Sequence, residues 1–62
     1  MFRIEVHDYY LGVWFEAAKL HFEPTEGVID SIIKNYCGYC MANIDMARVY
    51  KGRRIVWERC FE

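Results

Sequence analysis

One stretch of this chain repeats its apolar residues at helical spacing. In EPTEGVIDSIIKNYCG, Val28, Ile29, Ile32, Ile33 and Tyr36 fall at i, i+1, i+4, i+5 and i+8, a continuous stripe along one side of a helix. Pro24 is acceptable in a first turn, and Thr25 is a candidate N-cap. Glu23, Glu26 and Asp30 lie toward the N-terminal end, where the macrodipole favours negative charge. Gly38 follows the last periodic residue, where a left-handed C′ residue belongs. Gly27 is the weak point, costing ~1 kcal/mol against Ala inside a helix.

The flanking segments read as strands. FRIEVH alternates, with Phe2, Ile4 and Val6 on one side and Arg3, Glu5 and His7 on the other. DYYLG, bounded by Asp and Gly, reads as a hairpin connection. In VWFEAAKLHF the apolar parity changes near Ala17-Ala18, which marks a bulge. Glu5 and Glu16 then face each other across this first hairpin. ANIDMARVY, KG and RRIVWERCF read as a second hairpin with Lys51-Gly52 as its two-residue loop. That loop places Tyr50 opposite Arg53, Arg48 opposite Ile55, Met46 opposite Trp57 and Asp45 near Glu58. The order is ββαββ, and the expected architecture is α+β: a four-stranded antiparallel sheet with one helix packed on one face.

Size and composition agree with a single compact domain over residues 1–62. A domain this small buries only ~60% of the surface its unfolded chain exposes, so its core must be dense in large side chains. The chain is 55% hydrophobic and 18% aromatic. No apolar run approaches the ~20 residues of a membrane span, and no signal peptide is visible. With three Cys, an odd number, the reading is free thiols in a reducing cytoplasm. Residues 1–31 carry net charge −4 and residues 32–62 carry +3, so a two-ended molecule is expected.

Cys37-Gly38-Tyr39-Cys40 resembles the active-site motif of some thioredoxin-fold disulfide isomerases, over those four residues. In that family the pair opens a helix, whose dipole stabilises the thiolate. Here it closes one, where a thiolate is disfavoured. A zinc site completed by Cys60 and His7 or His21 lacks a second paired knuckle. The expectation is that both thiols pack as small apolar groups, with no catalytic residue, no metal and no cofactor.

What remains points to binding. Tyr9, Tyr10, Tyr39 and Tyr50 fall in or beside connections, where binding residues are often carried. Arg48, Lys51, Arg53 and Arg54 with Tyr50 form a basic aromatic hairpin tip. Trp14 and Trp57, with Val13, Phe15, Ile55 and Val56, supply apolar side chains to both sheet faces, although one helix can cover only one. The expected function is therefore a non-enzymatic module that binds another protein and alters its activity, with homodimer formation through the uncovered face. In style such chains resemble small phage and mobile-element proteins, including inhibitors of host defence proteins. The competing readings are a nucleic-acid-binding β-hairpin, disfavoured by the acidic first half, and a zinc-stapled structural domain.

Overall fold

The structure, a computed structural model, describes residues 1–37 and 43–61. The expectations placed on the Tyr36 and Cys37 side chains, and on Gly38, Tyr39 and Cys40, lie outside the described residues. Four strands, β1 (Phe2–Asp8), β2 (Val13–Leu20), β3 (Ile44–Lys51) and β4 (Arg54–Cys60), surround one helix in sequence, α1 (Glu26–Cys37). The strands form a single antiparallel sheet in the order β2-β1-β3-β4, and the class is α+β as the patterning predicts.

The strand alternation sets the core. Ile4 and Val6, both wholly buried, pair with Val49 and Ala47 of β3 and point toward the helix side. Ile29 and Ile33 of α1 close over them, and Ile44 completes the buried cluster. Phe2, Phe15, Ala17, Leu20, Ile32, Trp57 and Phe61 pack around its rim. The helical stripe is thus narrower than its sequence pattern: Ile29 and Ile33 are buried, whereas Val28 and Ile32 are only partly so.

Thr25 starts the helix. Its hydroxyl accepts from the Val28 N–H at 3.3 Å, and its carbonyl accepts from Ile29 N–H at 3.0 Å. Pro24 therefore precedes the cap instead of occupying the first turn. Gly27 faces open space, where an added Cβ would meet only Thr25 Oγ1 at 4.0 Å. Arg59 of β4 fixes the helix to the sheet. Its guanidinium lies 3.2 Å from Glu26 Oε1 and 3.3 Å from Asp30 Oδ1, against the rings of Trp57 and Phe61.

Three irregularities interrupt the ladders. Ala17 is the extra residue between Ile4↔Ala18 and Glu5↔Glu16, the bulge expected from the change of parity. Asp45 is extra in β3, between His7↔Met46 and Asp8↔Ile44, and Val56 is extra in β4. Both edge strands, β2 and β4, carry a bulge, a common device against edge-to-edge pairing.

The second hairpin departs from its expected register. Lys51 pairs with Arg54, so Gly52-Arg53 is the loop, not Lys51-Gly52. Gly52 has φ +63°, and among the described residues no non-glycine residue has a positive φ. A first central residue at positive φ followed by one at negative φ is the type II′ pattern, which wants Gly first. A Lys51-Gly52 loop would have forced lysine into that conformation. With the shift, Tyr50 faces Ile55, Arg48 faces Glu58, Val49 faces Trp57 and Met46 faces Cys60. Asp45 and Glu58 do not meet: Asp45 binds His7, and Glu58 binds Arg48.

Candidate functional site: an aromatic tip, a polar sheet face and a basic end

Asp8 continues the core-facing parity of Ile4 and Val6, and it is buried, at 7% exposure. A buried carboxylate needs hydrogen bonds. Its Oδ1 accepts from the backbone N–H groups of Tyr10 at 2.9 Å and Leu11 at 3.0 Å. Its carbonyl accepts from Gly12 N–H at 2.7 Å. Gly12, at φ +70°, then turns the chain into β2. Tyr9 N–H donates to Asn43 O at 2.9 Å, which ties the loop to the segment leading into β3. The loop backbone is held inward, and its side chains project outward: Tyr9 is 57% exposed, Tyr10 78% and Leu11 61%, with Val13 also exposed beside them.

The sheet face away from the helix is a polar lattice. The Arg48 guanidinium lies 4.2 Å from the Trp14 ring centre, and its Nε donates to Glu58 Oε2 at 2.6 Å. Hydrogen bonding to Glu58, and secondarily to Tyr50, raises the pKa of Arg48 above its ordinary value. His7 stacks obliquely on Trp14 at 5.0 Å, and its Nδ1 donates to Asp45 Oδ1 at 2.6 Å. Arg3 lies over Tyr50 at 4.8 Å, with its Nε 3.5 Å from Glu5 Oε2. Glu5 and Glu16 do face each other, and Lys19 lies 3.9 Å from Glu16. The contiguous apolar second face expected from sequence is absent among the described residues. Phe15 and Trp57 pack against the core on the helix side, and Trp14 lies under Arg48. Ile55 and Val56 are exposed toward the β4 end of the second hairpin.

The sequence-selected residues among those described therefore separate into four places. Tyr9 and Tyr10 stand at the tip. Trp14, Arg48 and Tyr50 belong to the polar lattice. Lys51, Arg53 and Arg54 are exposed at the opposite end of the sheet, around the second turn. Trp57 is a core-flanking residue. Leu11 and Asp8 complete the tip, and the sequence reading did not single them out. The available signal was a carboxylate at core-facing parity followed by a turn ending in Gly, the pattern of an Asp that bonds the backbone ahead of it. Among the described residues, no group of three or more His, Cys, Asp or Glu is placed to hold a metal ion, and Cys60 is a free, exposed thiol. No helix is long and apolar enough to cross a membrane, among the same residues. Comparison with protein-family models, with curated proteins and with solved structures finds no match.

Proposed function

We propose that this protein is a non-enzymatic binding module that engages another protein through the Tyr9–Tyr10–Leu11 tip and alters its activity. The observation that supports this reading is the combination at the tip: three large side chains held out in water by a loop whose backbone is anchored to a buried carboxylate. Exposing apolar surface in so small a chain forgoes burial that the core could use. Anchoring the backbone first reduces the ordering cost on binding, since little of the loop is left to immobilise. Tyrosine suits such a role, because it offers a large ring with two rotatable bonds and a polar end.

The test is capture from cell extract by the wild-type chain and by Tyr10→Ser with Leu11→Ser, each with and without nuclease. The expected result is a protein partner that survives nuclease and is lost with the tip variant, whose circular dichroism matches wild type. Capture that disappears with nuclease, or that is indifferent to the tip variant, would overturn the proposal. Recovery of only a second copy of the chain would make the tip a homodimer contact.

A further inference from the structure

The end of the sheet opposite the aromatic tip carries five cations around two adjoining open grooves. Lys51, Arg53 and Arg54 line one, of about 570 Å3; Arg3 and Lys19, with Met1 and Gly52, line the other, of about 260 Å3. Among the described residues no carboxylate lines either groove. Arg3 and Lys19 reach toward Glu5 and Glu16 only at 3.5 and 3.9 Å. The Arg3 Nε atom is shielded from solvent and has no hydrogen-bond partner. Lys51, Arg53 and Arg54 make no ion pair among the described residues. Two cations elsewhere are answered at closer range: Arg48 by Glu58 at 2.6 Å, and Arg59 by Glu26 and Asp30 at 3.2 and 3.3 Å. Lys34 stands alone in the last turn of α1, without an ion pair among the described residues.

We propose that this end binds an acidic polypeptide segment, a run of Asp and Glu side chains in extended form. Three arguments select that partner. First, both grooves are open to solvent and the larger is mainly polar, unlike the enclosed, mostly apolar pockets that hold small molecules. Second, the aromatic rings here already carry cations: Arg3 lies over Tyr50, and Lys51 lies 5.8 Å from the Phe2 ring centre. Those faces are not free to stack on bases, the usual supplement to phosphate contacts in single-strand binding. A grip on phosphates without stacking would rest on charge alone and fall steeply with salt. Third, an extended acidic segment presents carboxylates on one side every ~7 Å, and guanidinium groups bind carboxylates in two-pronged fashion. This contact is independent of the aromatic tip, which lies at the other end of β1.

Fluorescence anisotropy tests it. A labelled decaglutamate peptide and a labelled single-stranded oligonucleotide of equal charge are titrated with the whole chain at about 50 and 200 mM salt. The peptide binds and is weakened by salt. Lys51→Ser with Arg53→Ser and Arg54→Ser weakens it roughly tenfold, whereas Tyr10→Ser leaves it unchanged. If circular dichroism shows that the triple variant is unfolded, Arg53→Ser alone, at the exposed turn, serves instead, with an expected loss of about two- to threefold. No peptide binding, an oligonucleotide bound more tightly than the peptide, or an equal loss from Tyr10→Ser would each overturn the proposal.

Discussion

Asp8 occupies a strand position that its neighbours in parity fill with Ile and Val, and its carboxylate replaces their apolar contacts with two backbone hydrogen bonds. Removing it would leave the N–H groups of Tyr10 and Leu11 unpaired beside a buried site. Asp8→Ala is expected to destabilise the chain by about 1–3 kcal/mol, and Asp8→Asn, which keeps an acceptor oxygen, by less. Urea denaturation of the three proteins checks the order, and equal stabilities would mean that the loop holds itself. At this scale the sequence was informative where a side chain acts on its own backbone, as Thr25 does at the helix start. It was less informative where a side chain acts across the fold. The partners of Arg48, Arg59 and His7 come from other elements, and Glu26, Asp30, Asp45 and Glu58 could be matched to them only once the strands were aligned.

The elements themselves were legible because their periods differ. The 3.6 period of Ile29 and Ile33 and the 2.0 period of Ile4 and Val6 select helix and strand without reference to each other. The Ala17 bulge was visible for the same reason, since an extra residue reverses the parity. Register in the second hairpin was not legible, because both KG and GR supply one glycine and two strands of mixed polarity. What decides between them is the backbone: Gly52 must take the first central position of the turn. Gly52→Ala, at φ +63°, is therefore expected to cost about 1–2 kcal/mol despite open space around its Cβ. Thermal unfolding followed by circular dichroism measures it. A neutral result would mean that the turn adopts another type when the glycine is removed. The expectation of two apolar sheet faces failed at this scale too. Alternation along a strand shows which residues share a face, but not that Arg48 reaches across β1 to cover Trp14.

For the whole molecule, the charge split read along the sequence becomes a split along the strands. Glu5, Glu16, Glu26 and Asp30 of the first half pair with Arg3, Lys19 and Arg59, and three cations without an ion pair among the described residues, Lys51, Arg53 and Arg54, collect around the second turn. Within the polar face, the pKa of Arg48 is raised, first by Glu58 and then by Tyr50. A raised folded-state value contributes stability below the unfolded value and loses it only as pH rises through the folded one. Both lie in strongly basic solution, so the contribution of the Arg48 charge is constant across neutral and mildly alkaline pH. Denaturation profiles of wild type and Arg48→Gln from about pH 6 to 9 should therefore run parallel; a gap that closes within that range would assign the dependence to another group. The strand order has a consequence of a different kind. β1 lies in the middle of the sheet, and its first residue, Phe2, pairs with Lys51. The β1–β2 hairpin can form early from local contacts, but the other edge of β1 stays unsatisfied until β3 returns across most of the chain. Closing so long a loop before its contacts form is what slows a folding reaction. This chain should therefore refold more slowly than a helical bundle of its length, and until β3 arrives its central strand presents an open edge on which another chain's strand could form.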